Sequence, residues 1–257
     1  MPQPSLPTAL LLATTLTLVA CDPPAEPAKT APRATEAPQT NNAAISALPA
    51  LHVVLTWESL PNGENMVLKN YRAKLDACQG SGWPTRALSA EEEAKLGKGE
   101  VDIAIDARRQ AARQIQWSFG TAGDDERSTC LITLDAHEDQ SEIEDQDGIY
   151  EAIDDATRNQ DRLTYQAAGW TLLGEAEIQG QPCTRWRNER QEVCMWSGGL
   201  KWGFSEVPAD VAGCTIAGAG DYLTDIPLLG QPSPGGGGCR LQVKTFSLGQ
   251  GLLPTSQ

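Results

Sequence analysis

Histidine is scarce in this chain: only His52 and His137 occur among 257 residues. That leaves little for a Ser/His/Asp arrangement, and neither a G-x-S-x-G nor an H-E-x-x-H pattern is present. No two of the seven cysteines stand close enough for a C-x-x-C pair, which disfavours structural zinc. The glycine run Gly235–Gly238 lacks the following Lys and Ser/Thr of a phosphate loop and reads as a flexible loop. Basic residues number 20 against 34 acidic ones, a net charge of −14. Nucleic acid is excluded as a partner on that balance, since its recognition needs clustered Lys and Arg. No apolar run approaches the roughly 20 residues of a membrane-spanning helix.

The longest apolar run is Ala9–Ala20, twelve residues, the size of a secretory signal core of about 7–15 residues. It ends in Leu18-Val19-Ala20-Cys21, and Asp22 follows. These four residues resemble the lipobox of bacterial lipoprotein signal peptides. The resemblance implies that Cys21 carries a diacylglycerol, that the chain is cut before it, and that palmitate or a similar acyl chain completes the anchor. Residues 1–8 depart from the usual pattern in having no Lys or Arg. Several acyl chains hold a protein stably where one holds it marginally. The expectation is a domain lipid-anchored to a bacterial membrane and facing the periplasm, with inner and outer membrane both open. The membrane is then a partner through the anchor alone, because the acidic domain repels anionic headgroups.

With Cys21 lipidated, six cysteines remain: Cys78, Cys130, Cys183, Cys194, Cys214 and Cys239. An even set in an oxidising compartment reads as three disulfides. Asn188-Glu189 as a two-residue hairpin loop places Cys183 opposite Cys194 and Arg185 opposite Glu192. Pairing Cys214 with Cys239 closes the Gly/Pro-rich loop 230–238, and Cys78 then takes Cys130.

The organisation follows. Residues 1–20 are the signal peptide, 21–48 the lipidated cysteine and a disordered Pro/Ala-rich tether, and 49–257 the disulfide-bonded domain, with a division into two subdomains near 140–148 as an option. Within the domain, Leu51–Trp57 reads as a strand and Pro61-Asn62-Gly63 as a turn. In 65–78, Val67, Tyr71, Leu75 and Cys78 share a helical face, yet Tyr71, Ala73, Leu75 and Ala77 also alternate as in a strand; the preceding turn favours a hairpin, and so a strand. Ser89 and Glu92 resemble a capping box for a short helix. Further strands are expected around Val101–Ile105, Ile115–Phe119 and Thr129–Leu134, with a turn or short helix over 106–114. Ile149, Ala152, Ile153, Ala156 and Leu163 predict an amphipathic helix over about 148–167. Strands Thr171–Ile178, Pro182–Arg187, Gln191–Trp196, Leu200–Phe204 and Cys239–Leu248 complete the reading. The fold class is α+β: mainly antiparallel sheet, a C-terminal β-meander and one to three helices. The segments Gly180–Arg187, Glu192–Trp196 and Gly199–Glu206 resemble periplasmic proteins with a curved antiparallel sheet like the lipoprotein-carrier fold, which points the same way.

The segment 124–155 holds thirteen acidic residues and one basic, and between the strand Thr129–Leu134 and the helix from about 148 it reads as an acidic loop. Within it, Asp145, Asp147, Glu151 and Asp154 fall near the ligand positions of a calcium loop, with Gly148 at the turn. Ile143 stands where the first ligand belongs, so Ca2+ is a partial match beside the plainer reading of a solvated acidic loop. No other cofactor is indicated. Seven tryptophans against three phenylalanines, with Trp170, Trp186, Trp196 and Trp202 crowding the meander, suit sheet packing or an apolar or sugar-binding groove. The function expected is a non-enzymatic binding or structural role toward an envelope protein or apolar ligand. A calcium-binding adhesion-type module and an envelope hydrolase using carboxylates are the alternatives.

Overall fold

The structure, a computed structural model, describes residues 48–123, 125, 128–144, 152–204 and 226–250. Among these it holds one nine-stranded sheet in which all neighbours pair antiparallel. The strands are β1 (Pro49–Leu60), β2 (Lys98–Ile105), β3 (Arg109–Thr121), β4 (Ile132–Glu144), β5 (Thr171–Ile178), β6 (Gln181–Arg187), β7 (Gln191–Trp196), β8 (Pro227–Pro232) and β9 (Gly238–Gln250). Their spatial order is β4-β3-β2-β1-β9-β8-β7-β6-β5. Two meanders, β1–β4 and β5–β9, are thus joined where the first strand pairs with the last. The three helices, α1 (Met66–Ser81), α2 (Ala90–Glu93) and α3 (Asp155–Ala167), are accessory. The sheet and the C-terminal meander are as expected, but the helical share is small and the architecture is mainly β.

Alternation explains the core. Leu51, Val53, Leu55 and Trp57 of β1, and Val101, Ile103 and Ile105 of β2, turn one way and are buried, packing in one cluster with Trp196, Leu228, Leu241 and Val243 of the other half. Trp170, Trp186, Val193, Met195 and Tyr165 of α3 form a second cluster. Trp170, Trp186 and Trp196 are at most 2% exposed, so these three indoles are core and line no groove.

Several expectations change. Residues 65–78 are helical, not a strand: Asn65 caps α1 by accepting from the Leu68 N–H, and Gly82 ends it in the left-handed region at φ 73°. The face Val67/Tyr71/Leu75/Cys78 packs with Leu88, Leu96, Phe119 and Ile132, and Cys78 is bonded to Cys130. No hairpin forms at Pro61–Gly63, because β1 takes β2 and β9 as neighbours. Residues 109–114 belong to β3, not to a turn or helix. Residues 135–144 of the supposed acidic loop are the greater part of β4. The helix α3 begins at Asp155, and Leu163, assigned to its buried face, is 60% exposed; Tyr165 is the buried residue. Leu200–Trp202 is a 3-10 turn, not a strand. Residues 230–232 of the expected Gly/Pro-rich loop belong to β8, and 233–237 connect it to β9. The glycine run is no slack loop either: a Cβ on Gly237 would stand 1.9 Å from the Pro61 carbonyl oxygen, and one on Gly236 2.1 Å from that of Arg190.

The capping box at Ser89/Glu92 is present with both reciprocal bonds. Cys183 is bonded to Cys194, but not across a two-residue loop. The register sets Cys183 against Trp196, Arg185 against Cys194 and Arg187 against Glu192, two residues away from the expected pairing. Asn188 closes the longer loop by accepting from the Arg190 and Gln191 N–H groups. A two-residue shift keeps each side chain on its face. Glu192 therefore still meets Arg185 and gains Arg187, with closest approaches of 2.5 and 2.7 Å.

Candidate functional site

The site lies on the face of β1–β4 opposite the core. Directly paired residues share a face, and two cross-strand rows run side by side here. One is His52–Ala104–Ala111–Glu142; the other is Val54–Asp102–Arg113–Gln140. In the first row two methyl groups separate two large polar side chains across three strand spacings of about 4.8 Å each. The result is a depression of about 590 Å³, floored by Ala104 and Ala111 and walled by His52, Asp102, Arg109, Arg113, Gln140 and Glu142. Its volume falls in the range of small-ligand sites, roughly 300–1,000 Å³.

The walls are cross-linked by charge. His52 Nε2 lies 2.7 Å from Asp102 Oδ1. A carboxylate accepts, so Nε2 carries the hydrogen and Nδ1 is left to face other partners. Arg113 Nε donates to Glu138 at 2.5 Å, and Arg109 Nη1 to Glu142 at 3.3 Å. The Arg113 hydrogen bond holds the Glu138 carboxyl below its ordinary value. Beyond the depression the same face continues as ion pairs, Glu100–Lys244 and Glu58–Arg240. His52 and Asp102 keep 39% and 47% of their side chains exposed, so this pair adds little to stability and leaves the imidazole accessible.

The residues marked in the sequence fare differently. Cys21 and the candidate calcium ligands Asp145, Asp147 and Glu151 lie outside the described residues. Asp154 is described, and its carboxylate caps α3: Oδ1 accepts from the Thr157 N–H at 2.7 Å, and that bond holds its pKa low. Among the described residues no group of three His, Cys, Asp or Glu is placed to hold a metal ion. Cys239 is disulfide-bonded, while Cys214, its expected partner, lies outside the described residues. His137, the second of the two histidines, shares a hydrogen bond of 3.2 Å with Ser118 Oγ on an exposed part of β3 and β4, away from the depression.

Sequence reasoning missed the depression. His52 and Asp102 are 50 residues apart, and nothing local links them. The available signal was a polar residue, His52 or Asp102, at an outward position beside buried neighbours in each of two strands. No family model and no curated protein matches this chain.

Proposed function

We propose that this chain is a lipid-anchored envelope protein that binds a ligand on the outer face of its sheet without chemically changing it. The observation that carries the binding half is the depression itself: a floor of two alanines, walls braced by ion pairs, and an imidazole held by a carboxylate. Braced walls are preorganised, so little ordering cost falls on binding. The anchor half rests on Leu18-Val19-Ala20-Cys21. It is supported by disulfides, which persist in oxidising compartments, and by the lack, among the described residues, of any helix long and apolar enough to cross a membrane.

Two measurements test it. Cys21→Ala is expected to release the protein from the membrane fraction and abolish palmitate labelling; unchanged retention and labelling would sink the anchor. Native mass spectrometry of the protein extracted from its own membrane is expected to show a small-molecule adduct that Ala104→Leu loses by filling the depression. No adduct, or one indifferent to Ala104→Leu, refutes binding there. The Ser118–His137 contact favours a second reading, an envelope hydrolase. Labelling by a fluorophosphonate probe that Ser118→Ala removes would establish it.

A further inference from the structure

Resting on the reading of the depression as a binding site, we infer that its ligand is a small organic oxyanion, a carboxylate or a phosphomonoester, with a short apolar body. The argument is an inventory of donors and acceptors around the cup. Among the described residues on this face, three carboxylates in and beside the cup are already hydrogen-bonded: Asp102 by His52, Glu138 by Arg113 and Glu142 by Arg109. The donors are not used up. Arg113 commits Nε to Glu138, and among the described residues its Nη1 and Nη2 have no hydrogen-bond partner. A guanidinium presents its donors as a planar fork that matches a carboxylate or phosphate bidentately. Gln140, its direct neighbour on β4, likewise has an amide without a partner among the described residues. His52 Nδ1 is the third open position, an acceptor in the neutral ring and a donor in the charged one.

A cationic ligand would meet this fork with the wrong sign, and each of these three carboxylates already accepts a hydrogen bond. A wholly apolar ligand would cover the fork and the Gln140 amide without giving them partners, which disfavours it. The methyl floor formed by Ala104 and Ala111 suits a short aliphatic segment. Headgroup and body are thereby matched to one molecule: oxyanion toward Arg113 and Gln140, hydrocarbon over the alanines.

The test is calorimetric titration of the full mature protein in detergent with four probes that share one tail: butyrate, butyl phosphate, butylamine and butanol. Butyrate or butyl phosphate is expected to bind, and the comparison of those two arms tells a carboxylate from a phosphate source. Butylamine and butanol are expected to bind at least tenfold more weakly. Arg113→Gln, at a largely exposed side chain, is expected to weaken oxyanion binding at least tenfold. Glu138→Gln breaks the same ion pair but frees the whole fork, and is expected to tighten it. Butylamine or butanol binding as well as the anions, with Ala104→Leu abolishing it, overturns the oxyanion assignment and leaves the binding site standing. Anion binding indifferent to both Arg113→Gln and Ala104→Leu overturns it too. No binding by any of the four overturns the assignment alone if the native adduct persists, and the binding reading with it if the adduct is also absent.

Discussion

Cys183 and Cys194 are joined although they do not face each other: Cys183 sits against Trp196 and Cys194 against Arg185, and the bridge runs diagonally with Cα atoms 5.4 Å apart. Both residues are at most 1% exposed and belong to the main core. Cross-linking residues 11 apart is worth about 3 kcal/mol in the chain-entropy model. Replacing both cysteines by alanine is expected to lower unfolding stability by about that much, measured by urea denaturation. A double variant with an unchanged midpoint would show that the hairpin holds without the bridge.

Glu192 gives the C-terminal half an acid-sensitive joint. Burial pushes its carboxyl upward, but the hydrogen bonds from Arg185 and Arg187 and their charges together outweigh that and hold it below the ordinary value. A group lowered in the folded state stabilises above its unfolded pKa and loses that contribution as pH falls through the folded one. Stability of the native protein is therefore expected to drop from about pH 4.5 downward. Glu192→Gln is expected to cost about 2 kcal/mol at pH 7 and to flatten the acid limb of a Tm-against-pH curve. A curve of unchanged shape would show that other carboxylates set the acid limit.

Asn65 does three things at once. Its Oδ1 caps α1 through the Leu68 N–H, while its Nδ2 donates to the Leu96 carbonyl at 2.8 Å and to Glu58 at 3.2 Å. Asn65→Asp keeps the cap but sets a carboxylate oxygen against two acceptors, the Leu96 carbonyl and Glu58, whereas Asn65→Ala loses all three bonds without that repulsion. Alanine is expected to cost about 2 kcal/mol, and aspartate at least as much despite the retained cap, by thermal denaturation. A smaller loss for aspartate would show that the cap outweighs the contacts with Leu96 and Glu58.

Glycine substitutions are expected to diverge in sign. Gly237→Ala drives a Cβ into the backbone of Pro61 and is expected to destabilise by about 1–3 kcal/mol or more. Gly80 lies in α1 with open space around its would-be Cβ, and Gly80→Ala is expected to stabilise by about 0.5 kcal/mol. Melting temperatures of the two variants decide both.

What was readable in the sequence follows the locality of the cause. Thr171–Ile178 and Gln191–Trp196 carry their strand character in their own residues, and both were placed to the residue. The capping box at Ser89 is a four-residue device and was equally legible. Residues 65–78 fit two periods, and the choice was made by tertiary facts: the Asn65 cap reaching Leu96, and a disulfide to Cys130 52 residues away. The acids of β4 read as a solvated loop because their partners, Arg109 and Arg113, belong to β3. The depression was illegible for the same reason. Its floor exists only once Ala104 and Ala111 are set side by side, and its oriented imidazole only once β1 lies against β2. The hairpin register slipped because both registers satisfy Arg185 and Glu192, and the Asn188 loop geometry chose between them.

The junction of β1 with β9 governs the order in which such a chain acquires its shape. Pro49–Leu60 pairs with Gly238–Gln250, so the first strand waits for the last before its second edge is satisfied. The β1–β4 meander consists of near-neighbour pairings and can assemble as the chain emerges, but once β4 is complete at Glu144 it carries an open edge at β1 until the chain reaches Gly238–Gln250. Closing contacts of that sequence separation are slow to find, and an unpaired strand edge invites association in the interval. A nascent or truncated form ending before Gly238 therefore exposes both β1 and β8, which makes the final dozen strand residues a folding checkpoint as well as a structural seam.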